Sequence, residues 1–290
     1  MDNITWVILR GGLGNQLFQF YTGLNHSLMN KSRLYIDVHH IHEDLNGLRH
    51  YELNHFKLPL DGSGRPHEIV GISKKENILF RNVRHRFNKN FSPCIHPKLE
   101  TLNDDLPSKA PASAIFEGYF QDAKLYDYLR ANPNLLPKFS RRPESEISKS
   151  QSENTCAITV RLKDYLKFPK IFGDIPLDYY LKAMHHVRDN FNIHNFDLYS
   201  DDINLAEKYL AVAPFSNFSV NPIKTNNAMD DFGNIAKYKY KIIANSSFSW
   251  WAAYLNPEAV VYYMDPWLLN PSDLKLGLGS WQKISRDHLF

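Results

Sequence analysis

Four short stretches of the chain combine residue types that can do chemistry. The first is Gly11-Gly12-Leu13-Gly14-Asn15-Gln16. Three glycines in four positions permit positive φ and close approach of a ligand to the backbone. A helix beginning there would turn its unpaired N–H groups outward as anion donors. Phosphate or pyrophosphate is the natural guest, although a tight turn with no ligand has the same glycines. The adjacent amides of Asn15 and Gln16 tilt the reading toward a polar ligand such as a sugar. The second stretch is Thr159-Val160-Arg161-Leu162-Lys163-Asp164. On an extended strand Thr159, Arg161 and Lys163 share one face, so two cations would point the same way. Such a pair could grip a diphosphate and stabilise the charge of a departing nucleotide without a metal. An Arg161–Asp164 pair holding a strand end is the plain alternative. The third stretch, Asn245-Ser246-Ser247-Phe248, offers hydroxyls and free N–H groups at a helix start, hence an anion site or an ordinary cap. The fourth, Ser200-Asp201-Asp202, could cap a helix, accept hydrogen bonds from a nucleobase or, as the weakest option, hold a metal.

These stretches must be positioned by strands and helices, and the hydrophobic pattern supplies both. Ile4 to Leu9 is an apolar, β-branched strand, and Leu13, Leu17, Phe20 and Leu24 then recur at helical spacing. Arg33 to Asp37 reads as a second strand ending in a carboxylate. His39, His40 and His42 follow it, but no cysteine or carboxylate pattern around them supports a metal site. Ala114 to Phe120 reads as a strand, and Gln121-Asp122 as the start of a helix through Tyr126, Tyr128 and Leu129. Between about 62 and 110 no periodicity survives, which predicts loops and short helices. From Ser140 to Asn154 the composition turns to Arg, Pro, Glu, Ser and Lys, the pattern of a linker.

Beyond that stretch the same grammar restarts. Strands are expected at Cys156–Val160, Phe196–Tyr199, Lys239–Ala244 and Val260–Met264, and helices at Leu177–Val187, Asn204–Leu210 and Phe248–Leu255. The expected domains are therefore residues 1–145 and 155–290. Polar turns recur at strand carboxyl ends in both, which is where open α/β sheets place ligands. Trp250 and Trp251 read as core.

Composition narrows the class. The chain has 290 residues, 43% of them hydrophobic and 13% aromatic, and a formal charge of only +3. It can bury a core large enough for two domains, and it lacks the concentrated basic charge of a nucleic-acid binder. Cys94 and Cys156 are too few for a disulfide framework. The amino terminus lacks a signal-peptide pattern, and no apolar run reaches membrane-spanning length, so a cytoplasmic protein is expected. Lys74, Lys75, Arg81, Arg84, Arg86 and Lys89 alternate with aromatic or apolar residues. That pattern suits peripheral contact with anionic lipid or a lipid-linked acceptor, and equally an ordinary solvated face.

Taken together, these motifs resemble those of the bacterial α-1,2-fucosyltransferases of glycosyltransferase family 11, over nearly the whole chain. Gly11-Gly-Leu-Gly-Asn-Gln-Leu-Phe-Gln-Phe20 is similar to the family's opening motif. Arg49-x-Tyr-Glu-Leu53 and Gly118-Tyr-Phe-Gln121 resemble its acceptor-half motifs. Tyr199-Ser-Asp-Asp202 and Asn245-Ser-Ser-Phe-Ser-Trp-Trp-Ala252 resemble its donor-half motifs. The resemblance implies an α/β fold of the GT-B type, two Rossmann-like domains facing across a cleft, the amino-terminal one on the acceptor side. It implies transfer of L-fucose from GDP-β-L-fucose with inversion, onto a hydroxyl such as galactose 2-OH, in surface glycan or O-antigen synthesis. No cofactor and no obligatory metal are implied, and the partners are a nucleotide-sugar donor and an oligosaccharide or lipid-linked glycan acceptor.

By the same resemblance Arg161, with Lys163 and Ser247, stabilises the departing GDP. Asp164 is the base, Asp201 accepts from guanine, and Asn245, Ser246 and Phe248 complete the donor site. Gly12, Gly14, Asn15 and Gln16 approach phosphate or acceptor. One motif departs: where the family usually carries His-x-Arg-Arg-Gly-Asp-Tyr, this chain has Thr159-Val-Arg-Leu-Lys-Asp-Tyr165. Thr159 replaces the histidine and Leu162 the second arginine, with Lys163 as a partial substitute. Two other readings follow from that change, the same fold with a different nucleotide-sugar donor and a non-catalytic sugar- or nucleotide-binding protein.

Overall fold

A computed structural model describes residues 3–42, 50–71, 110–141, 146–167, 169, 177–211, 218–268 and 275–285. The chain divides into two compact units, Met1–Arg141 and Arg142–Phe290.

The first unit runs β1 (Ile4–Ile8), α1 (Leu13–Asn30), β2 (Arg33–Asp37), α2 (His39–His42), β3 (Phe56–Lys57), β4 (Glu68–Val70), β5 (Ala114–Glu117), α3 (Asp127–Ala131) and β6 (Lys138–Phe139). Its main sheet has the order β4-β2-β1-β5 with every pair parallel, while β3 and β6 make a small antiparallel ribbon. β1 is central and apolar because neighbours flank it on both edges and layers cover both faces. The apolar stripe of α1 is buried as its spacing predicts, but so are Phe18, Gln19, Thr22 and His26. The turn after β5 covers the far side of the helix, and the Tyr126 and Tyr128 hydroxyls donate to the carbonyls of Phe18 and Tyr21.

The second unit runs α4 (Lys149–Asn154), β7 (Cys156–Val160), α5 (Lys163–Lys167), α6 (Leu177–Phe191), β8 (Asn195–Ser200), α7 (Ile203–Ala211), β9 (Ser219–Pro222), α8 (Ala228–Lys237), β10 (Tyr240–Ile242), α9 (Ser247–Tyr254), β11 (Val260–Asp265) and β12 (Gln282–Ser285). Its sheet has the order β12-β11-β10-β7-β8-β9, all parallel. That is the doubly wound arrangement. The chain steps outward from β7 to β9, then returns to β7's other side with β10, which makes a switch point between β7 and β10.

Several elements differ from the sequence expectation. The stretch expected as a linker contains α4, capped by the Ser148 hydroxyl accepting from Gln151 N–H. β9 and β12 were not anticipated, since edge strands need only one buried face and these two are polar. α8 was missed because Gly233 and two aspartates interrupt its pattern. The Asn227 side chain accepts from Asp230 N–H and starts this helix, and Phe232 and Ile235 bury its apolar side. Trp250 and Trp251 are core, fully buried and in edge-to-face contact, with the Trp250 indole donating to the Leu276 carbonyl.

Candidate functional site

In the second unit, three neighbouring parallel strands deliver the donor-half residues to one sheet edge. β10 leads to Asn245–Phe248, β7 to Arg161–Lys163, and β8 to Asp201. The strand expected to continue through Lys163 stops at Val160. The Asp201 carboxylate accepts from Leu162 N–H at 2.9 Å and from Lys163 N–H at 3.3 Å, which turns the chain into α5. Arg161 and Lys163 therefore do not share the face of a strand. Lys163 is exposed at the helix start, while Arg161 lies 3.5 Å from Asp201 through Nε. Asp201 was expected to read a base. Its two oxygens accept from the backbone N–H groups that begin α5, which need acceptors at a helix start, and lie beside the guanidinium.

Two of the departures from the family motif, Thr159 and Leu162, face inward. Thr159 is buried, and its hydroxyl accepts from Ala244 N–H at 2.8 Å, tying β7 to the segment after β10. Leu162 joins the hydrophobic core. Asp164 lies in α5, and its side chain is outside the described residues.

α9 begins at this edge. Ser246 is its N-cap residue, but the serine side chain makes no capping bond. Asn245 is 2% exposed; its amide donates to the Trp267 carbonyl at 2.6 Å, and its backbone carbonyl accepts from the Tyr165 hydroxyl. The Asn245 Oδ1 and the Ser249 Oγ are buried with no hydrogen-bond partner. Buried polar atoms are seldom left so, and a ligand with donor and acceptor groups is one way to satisfy them. Ser246, Ser247 and Phe248 are half-buried, and Phe248 meets Phe232 of α8 edge-on. One residue earlier on α8, burial raises the Asp231 carboxyl to about 6 against a hydrogen bond from the Thr225 hydroxyl. No motif pointed to Asp231, since its signal is burial.

In the first unit, Gly11 has φ +77° and Gly12 caps α1 without a side-chain bond. Asn15 and Gln16 are arranged differently from the expectation that both face a ligand. Gln16 is fully buried. Its amide donates to the carbonyls of Gly11 at 3.0 Å and His50 at 2.7 Å, and its oxygen accepts from Glu52 N–H at 2.9 Å. It fastens the glycine turn to the His50–Glu52 segment, with both amide hydrogens engaged. Asn15 accepts from the Gln121 amide at 2.8 Å. Gly14 is buried and Gly12 half-buried at the helix start. Arg49, the basic segment from Lys74 to Lys89 and most of the presumed acceptor loops lie outside the described residues.

The same sheet edge carries a polar cluster. Asp37 at the end of β2 is bonded to His39, Arg10 after β1 contacts His40 at 2.6 Å, and Arg10 is paired with Glu117 at the end of β5. Among the described residues no group of three or more His, Cys, Asp or Glu side chains is placed to hold a metal, and no helix is long and apolar enough to cross a membrane.

Comparison with known proteins adds findings of three kinds. The family model described as Glycosyl transferase family 11 matches residues 103–274. The chain is 29% identical to the O-antigen biosynthesis glycosyltransferase WbnK of Escherichia coli, over 94% of this chain and 98% of that protein. It is 30% identical to an alpha-1,2-colitosyltransferase of Escherichia coli, over 85% of this chain and 86% of that one. Among solved structures, the NodZ alpha-1,6-fucosyltransferase soaked with GDP-fucose superposes with a TM-score of 0.54 at 14% identity, covering 92% of this chain and 96% of that one. The fucosyltransferase NodZ from Bradyrhizobium gives 0.52 at 13% identity, covering 89% and 94%. At such identities the likeness is one of fold.

Proposed function

The chain belongs to glycosyl transferase family 11 and has the GT-B fold of two Rossmann-like units, and we propose that it is an inverting fucosyltransferase. It moves L-fucose from GDP-β-L-fucose to a galactose 2-OH of an oligosaccharide or lipid-linked glycan in O-antigen synthesis. The observation that carries this reading is the edge of the second sheet. Arg161, 3.5 Å from Asp201, follows β7, and the paired strand β10 leads to the start of α9, where Asn245 Oδ1 and Ser249 Oγ are buried without partners. A guanidinium and the N–H groups of a helix start suit a diphosphate. As the bond from C1 of fucose to the β-phosphate breaks, negative charge grows on the phosphate oxygen, and Arg161 stabilises it with help from Lys163 and Ser247. No metal is assigned a part.

A second reading keeps the fold and changes the donor sugar. Thr159 and Leu162 replace two polar family residues with side chains turned inward, and one relative is named for colitose.

Calorimetric titration with GDP and then UDP, in chelator, tests the reading. Selective GDP binding that falls at least thirtyfold in Arg161→Ala, with an unchanged melting temperature, is expected. Equal affinity for both nucleotides, or undiminished GDP binding in the variant, refutes it. Fucose transfer to terminal β-galactosides, compared with transfer from other GDP-deoxysugars, separates the two donor readings.

A further inference from the structure

The start of α9 carries two side-chain oxygens that a diphosphate leaves unmatched. Asn245, two residues before the helix, is 2% exposed, and Ser249 in its first turn is fully buried. Among the described residues neither Asn245 Oδ1 nor Ser249 Oγ has a hydrogen-bond partner. Turning the Asn245 amide over does not cure this. Its Nδ2 donates to the Trp267 carbonyl at 2.6 Å and reaches that of Pro266 at 3.5 Å, so the NH₂ group faces the segment after β11 and Oδ1 is held on the other side of the amide. A flipped amide would set oxygen against two carbonyl oxygens.

The usual internal partners of these oxygens are engaged elsewhere. Ser246 and Ser249 have the spacing of a capping box, in which each side chain accepts from the other's backbone N–H. Neither bond forms: Ser246 makes no side-chain capping bond, and its own N–H donates to the Ala244 carbonyl at 2.8 Å. A buried helical serine can instead return its hydroxyl to the carbonyl four residues back. That carbonyl belongs to Asn245 and accepts from the Tyr165 hydroxyl.

An amide oxygen only accepts. The oxygens of an ionised diphosphate also only accept, so they suit the N–H groups of the helix start and the Arg161 guanidinium but oppose Oδ1. A hydroxyl donates and accepts at once. It can give its hydrogen to Asn245 Oδ1 and take one from Ser249 Oγ.

We propose that Asn245 and Ser249 form a hydroxyl-binding subsite for a sugar of the nucleotide-sugar, adding selection by that hydroxyl to the grip on the diphosphate. The inference rests on the donor reading above and lies wholly within the second unit. Two sugars flank the diphosphate, the ribose and the transferred sugar, and either can present the hydroxyl. A ligand lacking it leaves two buried oxygens unpaired, which is why a site built for a hydroxyl rejects its absence steeply.

The test is calorimetric titration of the full chain with GDP-β-L-fucose, its 2-, 3- and 4-deoxy analogues, GDP, and 2′- and 3′-deoxy-GDP. One deoxy analogue should bind about thirtyfold more weakly than its parent. Ser249→Ala should weaken the parent about tenfold and that analogue far less, because both changes remove the same bond. If the sensitive analogue is a deoxyfucosyl one and Ser249→Ala spares GDP, the hydroxyl is on the transferred sugar; if it is a deoxyribosyl one, the hydroxyl is on the ribose. Without ligand, Ser249→Ala should melt at the same temperature as the unaltered chain or up to about 4 °C higher, since a buried unpaired hydroxyl is removed. Affinities of all analogues within about threefold of their parents overturn the proposal, as does a crystal structure of the donor complex in which water, rather than a sugar hydroxyl, bonds Oδ1 and Oγ. If the unaltered chain does not bind GDP, the donor reading fails by itself and the ligand-free protein decides. Unchanged or raised melting in Ser249→Ala upholds the unpaired subsite, and melting lowered by about 3 °C or more shows the hydroxyl spent on the fold and overturns it.

Discussion

Replacing Asp201 by asparagine separates two roles that one carboxylate could have. The structure gives it four donors: Leu162 N–H at 2.9 Å, Lys163 N–H at 3.3 Å, the Arg161 Nε at 3.5 Å and the Ser200 hydroxyl at 3.5 Å. Asparagine keeps one acceptor oxygen and turns an NH₂ group toward the remaining donors, so one backbone bond and the ion pair are lost together. A hydrogen bond to a charged group contributes about 1.5–3 kcal/mol, and partial exposure of the pair reduces its share toward about 0.2–1 kcal/mol. The expected loss is about 1–2 kcal/mol of stability. A similar loss of preorganised Arg161 weakens GDP binding by about ten- to thirtyfold at about 1.4 kcal/mol per decade. The assay is calorimetric titration with GDP and with inosine diphosphate, which lacks the exocyclic amine of guanine. If Asp201 positions Arg161, both affinities fall by the same factor, and the double variant with Arg161→Ala is no weaker than Arg161→Ala alone. If discrimination between the two nucleotides collapses while the effects of Asp201→Asn and Arg161→Ala add, the carboxylate reads the base and the positioning argument is wrong.

Other outcomes follow from the same structure. Lys241, wholly buried in β10 and donating to the Ala236 carbonyl at 3.1 Å, has its pKa pushed down to about 7 by burial. The unfolded chain therefore binds more protons between about pH 7 and the ordinary lysine range, so stability rises with pH across that window and is lost as pH falls through 7. Lys241→Met removes a penalty of about 4 kcal/mol at pH 7, offset by about 1–3 kcal/mol for the unpaired carbonyl. Urea unfolding should show the variant stabilised at pH 7 and destabilised near pH 10; destabilisation at both contradicts the linkage. Gln16→Leu removes part-buried hydrogen bonds to the carbonyls of Gly11 and His50 and from Glu52 N–H and should cost about 1–3 kcal/mol, read as a lowered unfolding midpoint with GDP affinity unchanged. Unaltered stability with lost transfer would instead return Gln16 to a ligand role.

Much of the framework was readable in order along the chain. β2 and β7 lie where hydrophobic runs placed them, and the polar turns after β1, β7, β8 and β10 occupy strand carboxyl ends in parallel sheets. Those features depend on local alternation and helical spacing, which adjacent residues determine. Edge strands β9 and β12 were less visible, because half of their residues face solvent and dilute the apolar signal. α8 depends on an Asn227 cap that compensates for Gly233.

Which polar residue does what was a different matter. Asn15, Gln16 and Asp201 all read as ligand groups, yet they bond to Gln121, Glu52 and Leu162, at separations of up to 106 residues. A side chain's role depends on whether a buried backbone group or another side chain needs it more than a ligand does, and only the packed chain brings those claimants together. The sequence alone determined a doubly wound α/β protein with glycine, cation and hydroxyl turns at its strand ends, since these follow from periodicity and residue type. Tertiary structure decided that Asp201 meets Arg161 and two backbone N–H groups, and that the histidine after β2 has a carboxylate at Nδ1 while its neighbour is taken by Arg10. Hydrogen-bond partners are set by the distance between strands rather than along them.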